Sequence, residues 1–153
     1  MEIRSTYKFA APPSVVWTLL MDPEAIKSCL PGCRELRPIG GDQYHAEMMI
    51  GVAAVSGSFS STVTLSDQKP PESYRLTVDA TGKPGFARGS ATIVLKPATE
   101  GTEGTDVEVV ATAEVGGLIA RVGQRLIDGV AKMSMDGFFG CLAKRVAAGT
   151  PPP

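Results

Sequence analysis

The chain has 153 residues, 43% hydrophobic and 20% charged, with fifteen Lys and Arg against sixteen Asp and Glu and a net charge of −1. A chain of this length makes one domain burying roughly 68–70% of the surface its unfolded form exposes. The near-neutral balance has no basic block, which argues against nucleic acid as a partner. Three cysteines, an odd number, read as free thiols of a reducing compartment, so the expected location is cytoplasmic. Met1-Glu2-Ile3-Arg4-Ser5 is polar and alternating, unlike a secretion signal. No stretch reaches the ~20 consecutive apolar residues that span a bilayer, so membrane contact is expected only as peripheral, at the inner face of the cytoplasmic membrane.

From Glu2 to Phe9 the side chains alternate, with Ile3, Ser5, Tyr7 and Phe9 on one face, which is the period of a half-buried strand. Pro12-Pro13 ends it and opens a short helix holding Val15, Val16, Trp17, Leu19 and Leu20. Asp22-Pro23 starts a second short helix, with Asp as N-cap and Pro at the first helical position, running to about Cys29. Six strands then follow, punctuated by Gly40-Gly41-Asp42, Ser56-Gly57, Lys69-Pro70-Pro71, Lys83-Pro84-Gly85 and Thr99 to Thr105. Four of them, around Tyr44–Ile50, Phe59–Leu65, Tyr74–Ala80 and Val107–Val115, alternate, with Glu47, Thr62, Thr64, Arg75, Thr77, Asp79 and Glu108 marking the side turned to solvent. Past Gly116-Gly117 the period changes, because Leu118, Ile119, Val122, Leu126, Val130, Met133 and Phe138 recur at helical spacing.

This order gives an α+β helix-grip fold: a curved seven-stranded antiparallel sheet wrapped on a long C-terminal helix, with two short helices after the first strand. A terminal helix of about 30 residues, roughly 45 Å long, suffices to cross the apolar face. The domain is expected over 1–147, with a Pro-rich tail at 148–153.

Several positions assigned inward are small: Ala46, Ser61, Ala80, Ala87, Gly89, Ala91, Ala111 and Ala113, with Gly123, Gly129 and Gly137 on the helix. Interiors pack near a density of ~0.75, so a sheet and helix both short of bulk either approach closely or leave room. One arrangement is tight packing at a bend. The other is a tunnel walled by Met48, Ile50, Phe59, Leu76, Ala91, Ile93, Leu118, Val122, Leu126 and Met133, apolar enough for a hydrophobic small molecule.

Several blocks carry a resemblance: Pro12-Pro13 through Trp17, Asp22-Pro23-Glu24, Leu30-Pro31-Gly32-Cys33, Gly85-Phe86-Ala87-Arg88-Gly89-Ser90-Ala91, and Val115-Gly116-Gly117 through Ile127. In this order they resemble the carbon monoxide dehydrogenase G-subunit (CoxG) family of the START-like, or Bet v 1-like (SRPBCC), superfamily. The resemblance implies the same helix-grip fold. It also implies an accessory protein encoded with a molybdenum hydroxylase of the carbon monoxide dehydrogenase type and associated with its placement at the cytoplasmic membrane. The chain shows no iron–sulfur cysteine spacing and no flavin or molybdenum site of its own. Electrons from such an enzyme must reach a quinone dissolved in lipid, so a bound quinone or other isoprenoid or lipid is the expected occupant of the tunnel, and no intrinsic cofactor is expected.

His45, the sole histidine, falls on an outer face and reads as a surface residue rather than a catalyst. Cys29 and Cys33 bracket a corner like a zinc half-site, but no four-ligand set accompanies them, so no metal site is expected and free thiols are the preferred reading. Ser58, Ser60, Ser61 and Thr62 have no histidine–acid pair to activate them. Arg88, between two small residues, reads as a structural ion pair or as a contact to ligand or partner. Leu30 and Pro31, with Phe86, are candidate partner or membrane contacts at the tunnel mouth. The expected role is that of a non-catalytic carrier or adaptor. The rival readings are a pure docking factor with an incidental cavity, and a START-like cyclase or hydrolase, which would need a polar cavity group with a shifted pKa.

Overall fold

The computed structural model describes residues 2–52, 55–83, 85–98 and 104–147. The expected tail at 148–153 lies outside them, as do the side chains of Ile50 and Val122. Strand β1 (Glu2–Phe9) shows the alternation read from its sequence, and α1 (Pro13–Leu20) begins with Pro at its first turn. In α2 (Pro23–Cys29) the Asp22 carboxylate accepts from the Glu24 N–H at 3.0 Å, the N-cap that Asp22-Pro23 foretells. Six strands follow: β2 (Cys33–Gly40), β3 (Gln43–Val52), β4 (Val55–Lys69), β5 (Ser73–Gly82), β6 (Gly85–Pro97) and β7 (Thr105–Gly116). All seven join one antiparallel sheet in the order β1-β7-β6-β5-β4-β3-β2, so the first strand pairs with the last and the remainder is a meander.

The corner between α2 and β2 depends on Gly32, which has φ +80° and whose carbonyl accepts from the Met49 N–H at 2.8 Å. A Cβ there would collide with the Met49 carbonyl, so only glycine permits this approach.

The C-terminal helix departs from expectation. A 3-10 turn occupies Gly117–Val122, Gly123 has φ +100°, and α3 (Gln124–Ala147) is a separate helix of 24 residues. An L-residue helix cannot continue through a positive φ, so Gly123 ends the turn and resets the phase of the helix after it.

The hydrophobic core gathers at one end of the sheet. Val16, Leu20 and Ala25 from the short helices meet Phe9, Tyr74, Ile93, Leu95, Val107 and Val109 from the strands and Phe139 and Leu142 from α3. Trp17 packs edge-on to Tyr74 with ring centroids 5.3 Å apart, as a core residue. A disulfide joins Cys29 of α2 to Cys141 of α3, with Cα atoms 5.4 Å apart across 112 residues of sequence. This corrects the reading of all three cysteines as free thiols. Folding brings together two residues whose sequence separation says nothing of their proximity, and only Cys33 stays unpaired, its pKa raised chiefly by burial. Cys29 and Cys141 therefore give no support to a reducing compartment.

Candidate ligand-binding cleft

The strand register arranges the small residues into rows across the concave face. Ala46 pairs with Ser61, Ser61 with Ala80, Ala80 with Ala87, and Ala87 with Val115. Neighbouring rows run Val78–Gly89–Ala113 and Leu76–Ala91–Ala111, and the row at the open end runs Met48–Phe59–Gly82. The same parity leads through Ile93, Val109 and Tyr74 into the core, so this face is the one turned to the helices. Large side chains thus fill one end of the concave face, and alanine and glycine dominate the other.

Phe59 and Ile93 are fully buried, whereas Met48, Leu76, Val78, Ala80, Ala87, Ala91, Ala111 and Ala113 are half-buried. A close-packed layer would cover all of them. Their residual accessibility marks an apolar floor that the elements above it do not fully cover.

The roof differs from the expected one. The inward stripe of α3 runs Ile127, Ala131, Met135, Phe138 and Leu142, at spacings of three and four; the first four are half-buried, and only Leu142 and the neighbouring Phe139 are buried. Leu126 and Met133 lie on the opposite side and are 38% and 74% exposed, and Leu118 on the 3-10 turn is 55% exposed. A continuous helix from Leu118 would have put these three over the sheet, but the break at Gly123 turns α3 so that they face outward. On the inward side of its first half α3 carries Ile127, Ala131 and Ser134, all half-buried.

Several polar groups on the inner face have partners within the protein. Ser61 donates to the Ala46 carbonyl at 3.2 Å and Thr105 to the Ala11 carbonyl at 2.6 Å. At the β1 edge the Tyr7 hydroxyl donates to Asp136 at 2.8 Å, Lys132 donates to the same carboxylate oxygen at 2.6 Å, and the Tyr7 ring stacks on Phe139 at 4.5 Å. Burial, and then the Asp136 carboxylate, push the Tyr7 pKa up to about 12, while Lys132 and Tyr7 hold Asp136 below the usual carboxylate range. Sequence reasoning missed this β1–α3 clamp. Its one signal was Tyr7 at an inward position of a strand otherwise small or apolar on that face.

The remaining candidates lie on the other face or at its edge. Arg88 stands between its cross-strand neighbours Asp79 and Glu114, at 3.8 and 4.0 Å, and its guanidinium lies 4.9 Å above the Phe86 ring. Arg88 thus makes surface ion pairs, with its side chain more than half exposed. Phe86 is half-buried rather than exposed, because its ring covers the Cα of Gly116, where a side chain would displace it. Leu30 is half-buried, and Pro31 is exposed beside Gly137 of α3. His45 sits on the outer face against Glu47, which also accepts from Ser60 at 3.2 Å. A concavity of about 720 Å³ on this outer face is lined by groups of both signs, including Glu2, Arg75, Asp79, Arg88 and Glu114.

A family model described as the G subunit of carbon monoxide dehydrogenase (CoxG) matches residues 6–147. The chain belongs to the CoxG family. Among solved structures, a conserved protein from Geobacillus kaustophilus is 36% identical to this CoxG-family chain, with a TM-score of 0.91 and coverage of 97% of both chains. A START superfamily protein from Mycobacterium smegmatis, 14% identical, has a TM-score of 0.75 over 97% of this chain and 99% of its own. Ara h 8.0201, 13% identical, has a TM-score of 0.67 over 97% and 98%. The last two show the helix-grip fold alone. No curated protein matches the chain. Among the described residues, no helix is long and apolar enough to cross a membrane.

Proposed function

We propose that this CoxG-family chain is a non-catalytic carrier: it holds a long apolar molecule, a quinone or other isoprenoid or lipid, between the concave face and α3. It serves a molybdenum hydroxylase of the carbon monoxide dehydrogenase type at the inner face of the cytoplasmic membrane. The observation that carries this reading is the half-buried floor of alanine and glycine on the inner face of β5, β6 and β7. Directional polar groups are scarce there, as suits a ligand recognised by shape and hydrophobicity. An enzyme would need a titratable group poised for proton transfer in the cleft; Ser61, Thr105 and Tyr7 are engaged with the protein itself, and burial holds the Tyr74 hydroxyl protonated. A second reading, a docking factor whose cleft is incidental, draws on the charged outer concavity.

The test is mass spectrometry of organic extracts from the purified protein and from Ala87→Trp, whose indole would fill the floor at the open end. An isoprenoid extracted from the first and absent from the second is expected. Empty extracts from both, with no uptake of added isoprenoid, would favour the docking factor instead.

A further inference from the structure

Among the described residues, five large hydrophobic side chains are exposed, and three of them, Leu118, Leu126 and Met133, fall within one short segment of chain, the 3-10 turn and the first turns of α3. Single exposed hydrophobics are common on protein surfaces and carry no message. These three differ in that Leu126 and Met133 share one stripe of α3, opposite its inward stripe, and Leu118 lies on the turn that feeds that helix. The same segment is locally basic although the chain as a whole has a net charge of −1: exposed Arg121 and Arg125 have no acidic partner among the described residues. Asp128, the acid between them and Met133, instead accepts from Gln124 at 2.7 Å. The turn contacts β4, β6 and β7, at the end of the sheet where the small-residue floor opens.

We infer that this outward stripe of the 3-10 turn and α3 docks on an anionic lipid bilayer, Leu118, Leu126 and Met133 entering the acyl boundary while Arg121 and Arg125 meet the phosphates. Apolar side chains flanked by arginine on one face of a helix are the chemistry of an interfacial segment rather than a spanning one. The charge favours lipid phosphate as the occupant, and the place brings the cleft's open end to the membrane surface. The inference rests on the carrier reading for its purpose, since a carrier must meet the phase in which its ligand dissolves.

Vesicle co-sedimentation tests it, with the full chain, Leu118→Gln/Met133→Gln, and Arg121→Gln/Arg125→Gln, each confirmed folded by its thermal melt. The vesicles are phosphatidylcholine alone or equal parts phosphatidylglycerol and phosphatidylcholine. The unaltered protein should partition onto the anionic vesicles and release at high salt. The glutamine pair replacing Leu118 and Met133 should weaken partition by about tenfold or more, and loss of each arginine by roughly fivefold. Equal partition of all three proteins, or none of the unaltered protein, would overturn the assignment. So would a dimer of the unaltered protein that Leu118→Gln/Met133→Gln abolishes, since the stripe would then be covered by a second copy. Uptake of isoprenoid from detergent solution, run in parallel, separates the two ideas: uptake without vesicle binding removes the docking surface, and vesicle binding without uptake removes the carrier.

Discussion

Tyr7 shows how one side chain ties sheet to helix and makes that tie depend on pH. Its ring packs on Phe139 while its hydroxyl donates to Asp136, so it joins β1 to α3 through both an apolar and a polar contact. Because its folded pKa is raised above the ordinary 10.0 to about 12, its contribution is complete below pH 10 and is lost as pH rises through that interval. Asp136 has the opposite sign: its lowered pKa stabilises the fold at neutral pH, and that share disappears as pH falls through the carboxylate range. Tyr7→Phe is expected to cost about 0.5–1.5 kcal/mol in denaturant unfolding at pH 7. It should also flatten the alkaline loss of stability between pH 10 and about 12, leaving the part that belongs to the buried Tyr74, whose pKa burial also raises. An unchanged alkaline limb would rule out a stabilising Tyr7–Asp136 bond. Single-residue features of the strands were legible in the sequence to the extent that alternation governs them. His45 and Arg88 lie on the outer face because neighbouring positions of a strand point opposite ways. Partners 129 residues apart, such as Tyr7 and Asp136, leave no mark in a local pattern.

At the scale of elements, the two short helices, the strands and most of their turns follow from proline, glycine and the period of two, and they were legible for that reason; Ser56-Gly57, read as a break, instead lies inside β4, paired with Gly51 and Ile50. The C-terminal helix was legible as a helix but not in its phase. Leu118, Val122, Leu126 and Met133 continue one another only if the chain is helical throughout, and the left-handed Gly123 denies that condition. Two substitutions on α3 test the phase. Leu142→Ala, at a fully buried position, should cost about 2–5 kcal/mol. Leu126→Ala, on the outward stripe, should change stability by no more than about 0.5 kcal/mol. Comparable losses from both, measured by urea unfolding, would return Leu126 to the wall of the cleft. The Cys29–Cys141 bond was likewise hidden, since it depends on α2 lying beside the end of α3. Closing a loop of 112 residues restricts the unfolded chain by an amount on the order of 2–5 kcal/mol, and it fixes the C-terminal half of α3 to the body of the protein.

The whole molecule divides along its sheet into a packed end and an open one. At the packed end α1, α2 and the second half of α3 bury large side chains under the disulfide. At the other end, alanine and glycine dominate the inner face of β5, β6 and β7 and stay half-buried. The depletion of bulk was visible in the sequence, whereas the choice between a cleft and close packing depends on how α3 lies over the sheet, which no local pattern records. The most direct test is native mass spectrometry of the intact protein titrated with a long-chain isoprenoid quinone, beside Ala87→Trp. A carrier should bind one saturable equivalent as the unaltered protein and none as the variant. Binding to neither, or equal binding to both, would contradict a ligand seated on this floor.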